Sequence, residues 1–225
     1  MTTLVALLHL CDSLFPIGAF GYSDGLEAAT SAGLVRTPGD LRAWLEVCLD
    51  ETLGRADGPT MLQAWAAFTS RGWPTLGRLD EEMHALRPAA AARHSSQAMG
   101  RRLVTTWHAL YPHPGLEQTL ELAGRGAIRP TLPVAFGCVS AAAGVAQLDA
   151  AAAFAYTRLA STISAAMRLM PIGQTDAHTQ LAAVLERVPD VVDAMASRTR
   201  VESFTPAMDI ALMAQRHLHS RLFRS

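Results

Sequence analysis

Apolar residues recur along this chain at three- and four-residue intervals, and proline or glycine marks where each run stops. Residues 3 to 15 read as a first helix ended by Pro16, and a second runs from about Ser23 to a cap at Gly33. Thr37-Pro38-Gly39-Asp40 supplies an N-cap, a first-turn proline and a first-turn acid. The run that follows, LRAWLEVCLDETL, puts Leu41, Trp44, Leu45, Cys48 and Leu49 on one face, and a further helix begins at Pro59. Helices near 75–87 and 89–110 come next, then a Pro- and Gly-rich stretch around a short helix. Two apolar helices, about 134–146 and 149–169, lead into a tail with helices near 175–187, 189–197 and 206–219.

No segment alternates with period two, and no βαβ rhythm is present. The expectation is an all-α, single-domain array of about ten helices spanning residues 1–225. Composition agrees: half of the residues are hydrophobic, 6% are aromatic and alanine is abundant, which favours close helix packing over sheets. Gly137, Ser140, Ala141 and Gly144 form a run of small residues that would let another helix approach closely.

Charge narrows the function classes. A formal net charge of -1 leaves no footprint for nucleic acid or an anionic membrane. The chain has no lysine, which removes Schiff-base and P-loop lysine chemistry. Cys11, Cys48 and Cys138 are scattered and odd in number, a pattern that suits a reducing cytosol. The apolar start meets Asp12 early and lacks a basic region, so it reads as a helix rather than a signal peptide. Residues 133–148 are too short for a membrane span.

Gly21-Tyr22-Ser23-Asp24-Gly25 matches G-x-S-x-G, the turn that presents a nucleophilic serine in α/β-hydrolases. Such a turn needs a strand immediately upstream, and here Pro16 and Gly18 interrupt the preceding residues. A glycine-rich turn with Ser23 or Asp24 capping a helix is the simpler reading. A serine hydrolase built on Ser23 and a generic helical scaffold remain the alternatives. The glycine-rich turn is expected to be exposed, and the aromatics Phe20 and Tyr22 on it suit contact with another protein.

Among the eight histidines, His217 and His219 are two apart and point in different directions on a helix, so they do not chelate together. Met167 and Met170 read as core filling, and Arg101-Arg102 as a solvated helix face. No catalytic residue and no stable metal site is expected within the chain.

Four ordered stretches resemble the UreF urease accessory proteins. Phe15 to Glu27, FPIGAFGYSDGLE, is similar to that family's P-[IV]-G-[AGS]-[FY]-x-[YH]-S-x-G-L-E. Leu132 to Gly137, Arg168 to Asp176 and His219 to Ser225 are similar to its [YL]-P-V-A-F-G, R-L-x-P-[IL]-G-Q-T and Y-S-R-L-F-R-S, with His219 in place of tyrosine. The resemblance implies an all-α homodimer without enzymatic activity that serves the dinickel centre of urease. It implies partners UreD (also called UreH), the GTPase UreG and apo-urease, with nickel in transit and GTP held by the partner, which accords with the cytoplasmic location read from the cysteines. Its partner-binding residues map to Pro16, Gly18, Phe20, Tyr22, Ser23, Glu27, Gln174, Arg221, Leu222, Phe223 and Arg224. By that analogy the tail orders on UreD, with Arg221 fastened to the carbonyl-rich turn and Gln174 shaping the same polar region.

Overall fold

The computed structural model describes residues 2–224, and among them twelve α-helices and no strand occur. The helices are α1 (Thr3–Leu10), α2 (Leu26–Ser31), α3 (Pro38–Val47), α4 (Gly58–Thr69), α5 (Trp73–Ala85) and α6 (Ala90–Leu110). They continue with α7 (Pro114–Gly124), α8 (Leu132–Ala142), α9 (Gln147–Leu169), α10 (Gln174–Leu185), α11 (Val188–Ala196) and α12 (Pro206–Ala214). One contiguous apolar cluster extends from Ala6 in α1 to Phe223 in the tail.

The helix α8 is the axis of the array, with every residue from Leu132 to Ser140 buried. It packs chiefly on α4 and α6, with α9 alongside. Gly137 allows this: a Cβ there would lie 2.9 Å from the Trp65 amide nitrogen and 3.0 Å from the Ala64 side chain on α4. Ser140 stays in the same dry interface by returning its hydroxyl to the Phe136 carbonyl at 2.7 Å. Gly144 plays a different part from the one its spacing suggests. It lies past the end of α8 with φ of 72° and open space around it, so it reverses the chain.

Several boundaries differ from the sequence pattern, each for a local reason. The helix α1 stops at Leu10 because Asp12 takes over the next backbone groups: its carboxylate accepts from Leu14 N (2.9 Å) and its carbonyl from Phe15 N (2.9 Å). The expected N-cap at Thr37 is formed, and with Asp40 it closes a capping box in which Asp40 accepts from both Arg36 N and Thr37 N, which lowers its pKa. Between α3 and α4 the chain continues as a π-helix over Cys48–Asp57 instead of breaking. Pro59 has no N–H to offer the Arg55 carbonyl, and Glu202 N supplies that donor at 3.1 Å. The last helix closes at Ala214 and tightens into a 3₁₀ turn over Gln215–His217, just before the tail motif that begins at His219.

Candidate functional site

The Gly18–Gly25 turn is anchored upstream by Phe15, which is buried against His9 and Trp107 at ring-centroid distances of 5.2 and 5.8 Å. Gly18 adopts φ of 81° and opens a 3₁₀ turn over Ala19–Gly21. Asp24 and Gly25 are then both left-handed, with φ of 49° and 87°. An aspartate accepts this conformation only when held there, and its carboxylate is paired with Arg158 from α9. Gly25 has a second reason to lack a side chain. Its Cβ would sit 3.1 Å from Leu212 N and 3.3 Å from the Met208 carbonyl, because α12 crosses directly over the turn. The left-handed pair delays α2 to Leu26, three residues later than its expected start.

Glu27, in the first turn of α2, is the centre of the site. It is 5% exposed, and both carboxylate oxygens accept hydrogen bonds. Leu222 N donates to Oε1 at 2.6 Å, while Phe223 N at 3.2 Å and Gln215 Nε2 at 3.0 Å donate to Oε2. The Ser23 hydroxyl, 3% exposed, donates to Gln215 Oε1 at 3.3 Å and lies 3.5 Å from Glu27 N. A buried carboxylate is tolerable when its lone pairs are filled, and here the donors come from the 3₁₀ turn and the C-terminal tail. The tail continues the contact: Arg224 N donates to the Gly21 carbonyl at 2.8 Å.

Phe223 is buried, and the Arg168 guanidinium lies over its ring at 4.1 Å. Arg168 also donates from Nη2 to the Phe20 carbonyl at 3.1 Å and stands 5.9 Å from the Phe20 ring. It therefore joins turn, α9 and tail in one contact.

The structure thus brings together Gly18, Phe20, Tyr22, Ser23, Glu27, Leu222, Phe223 and Arg224 around one junction. Pro16 is exposed at its upstream edge, and Tyr22 is half-buried against the core. One expectation needs correction. The side chain that reaches a turn carbonyl is Arg168, while Arg221 is exposed, because the tail docks through its backbone and Phe223. Residues 222–224 contact their own chain through Glu27 and Gly21. Gln174 is exposed at the start of α10 and makes none of the contacts that define the junction. Arg168, Arg158 and Gln215 escaped sequence reasoning as members of the site. Arg168 was visible as the first residue of the RLMPIGQT stretch, but Gln215 carried no local signal.

The same geometry decides the G-x-S-x-G question. Gly21 receives the tail through its carbonyl, Ser23 belongs to a buried serine–glutamine–glutamate chain, and Gly25 makes the left-handed bend beneath α12. No strand precedes Ser23 among the described residues, so the elbow that would activate it is missing. Nor do three or more His, Cys, Asp or Glu residues converge as a metal site among the described residues. Burial pushes the Cys11 thiol up to about 11 and the Cys48 thiol, beside Asp24, up to about 12, keeping both protonated at neutral pH.

A family model for UreF matches residues 35–185, the span from just before α3 to the end of α10. The chain belongs to the UreF family. Relatives named urease accessory protein UreF extend the match over the turn and tail as well. The protein from Methylibium petroleiphilum is 34% identical over 99% of this chain and 94% of its own length. That from Rhodopseudomonas palustris (strain BisB5) is also 34% identical, over 99% of this chain and 91% of its own. A protein from Bordetella bronchiseptica named bifunctional urease accessory protein UreEF is 32% identical, and 52% of its length is covered. UreF proteins are accessory proteins of urease maturation and not enzymes, which fits a Ser23 engaged inside the fold. No helix among the described residues is long and apolar enough to cross a membrane.

Proposed function

We propose that this UreF chain is a helical adaptor that joins UreD/UreH and the GTPase UreG during urease maturation and modulates GTP-dependent nickel delivery to apo-urease. Nickel is cargo of the assembly, GTP belongs to the partner, and this chain holds neither stably. The working unit is a cytoplasmic homodimer; the exposed α1 residues Leu4, Val5 and Leu8 offer apolar surface for association.

The observation that carries the reading is the docked tail. Glu27 and Arg168 lock residues 222–224 onto the Gly18–Gly25 turn, while Phe20 (49% exposed), Arg221 and Leu222 (70% exposed) project outward from the locked junction. A rigid junction that presents an aromatic, an arginine and a leucine has the side chains that dominate protein interfaces. The Bordetella relative, by its name a UreE–UreF bifunctional protein, supports a place among several accessory components.

Replacing Arg221 and Leu222 together by alanine tests the proposal. These exposed side chains contribute within about 0.5 kcal/mol to stability, so the melting temperature should hold while co-purification with UreD/UreH and UreG is lost. Normal assembly by the double variant would remove the junction as the partner surface.

A further inference from the structure

Three arginines from three separate elements surround the turn. Arg102 of α6 places Nη1 3.6 Å from where a Gly18 Cβ would lie. Arg168 of α9 holds the Phe20 carbonyl, and Arg224 of the tail passes its Cδ 3.7 Å from the corresponding position at Gly21. All three are exposed, as is Arg221 beside them. The carboxylates that could neutralise them locally are mostly engaged elsewhere: Glu27 by the tail and Gln215, Asp24 by Arg158. Asp12 is the remaining acid in the segment from Asp12 to Glu27. In a chain of net charge -1 this is a segregated positive rim.

We propose that this rim recognises an acidic protein segment carrying an apolar side chain, a feature that deepens the adaptor reading and rests on it. The charges favour carboxylates, and the exposed Phe20 and Leu222 of the turn and tail add apolar contact that inorganic phosphate would not use. The arginines come to the turn from three separate elements, α6, α9 and the tail, so several carboxylates along a polypeptide would each find a cation.

The test titrates the full chain with a fluorescent peptide of Asp, Glu and Leu, with a charge-reversed Lys/Leu peptide, with inorganic phosphate and with anionic vesicles. The acidic peptide should bind and weaken about tenfold or more between about 50 and about 300 mM salt. The R102E/R224E variant should lose about tenfold in affinity at an unchanged melting temperature, and R102K/R224K should retain most of it. Equal binding by R102E/R224E, no binding of the acidic peptide, or preference for phosphate or vesicles would overturn the proposal. If the peptide fails while tail-dependent co-purification with the accessory partners persists, the adaptor reading stands and the acidic partner is dropped. Loss of that co-purification in the unmodified chain would remove the adaptor reading itself.

Discussion

The α4–α8 interface and the turn–tail junction are both buried, yet opposite means hold them. In the first, small side chains bring two helices together and the contact is apolar throughout, with Gly137 against α4 and Ser140 satisfied within its own helix. In the second, a carboxylate collects three hydrogen-bond donors from segments nearly two hundred residues away in the chain. An apolar interface tolerates rearrangement so long as volume is kept. A buried carboxylate is less forgiving, because any lost donor leaves an unsatisfied group. The contrast places rigidity in the α4–α8 pair and specificity at the junction.

The strongest way to break the comparison is to add volume at Gly137. A leucine there has nowhere to go, since even a Cβ meets α4 backbone, and Gly137→Leu should cost about 3 kcal/mol or more. Urea unfolding would read the loss as a lower midpoint with an unchanged slope. A near-normal midpoint would show that α4 and α8 can slide apart without consequence.

Glu27→Ala should come next, at about 2–4 kcal/mol, because it strands the Gln215 amide and the Leu222 and Phe223 N–H groups while leaving a cavity. Glu27→Gln keeps the shape but supplies an N–H where a donor already points, and should recover only part of the loss. Full recovery by glutamine would mean that charge plays no part in the latch.

Phe223→Ala separates local from global stability. The lost burial is worth about 3 kcal/mol, but a chain end can release without unfolding the rest. The expected signature is faster hydrogen exchange at the Leu222 and Phe223 amides with little change in global melting. A large fall in melting temperature would show that the tail is part of the cooperative core.

The two regions also differ in how far the sequence reveals them. Apolar periodicity located α8 and α9 to within four residues at every end, and the small residue at 137 announced a close helix contact, because both signals are local. The junction is not local. Glycine-rich character marked Gly18, Gly21 and Gly25 as a turn, but nothing in the neighbourhood of Glu27 identifies Gln215 or the tail amides as its donors. Asp12 and the left-handed Asp24 shortened α1 and α2 through side-chain contacts that helix propensity does not contain. The continuous π-helix through Cys48–Asp57 depended on a donor from Glu202, which is equally distant. Resemblance of whole stretches, rather than residue chemistry, drew attention to the tail.

Ser23→Ala should have the smallest effect, and it is the most discriminating of the series. Its hydroxyl donates to the buried Gln215 Oε1 and sits at a long distance from Glu27 N, so its removal should cost about 1–2 kcal/mol. Glu27 keeps its donors from Gln215, Leu222 and Phe223, and the latch should close. A urease activation assay with the accessory proteins should therefore show near-normal activation by the variant. Complete loss of activation, with melting temperature and tail protection intact, would require chemistry at Oγ. Retained activation instead makes the serine of G-x-S-x-G a secondary prop for the carboxylate that holds turn and tail together.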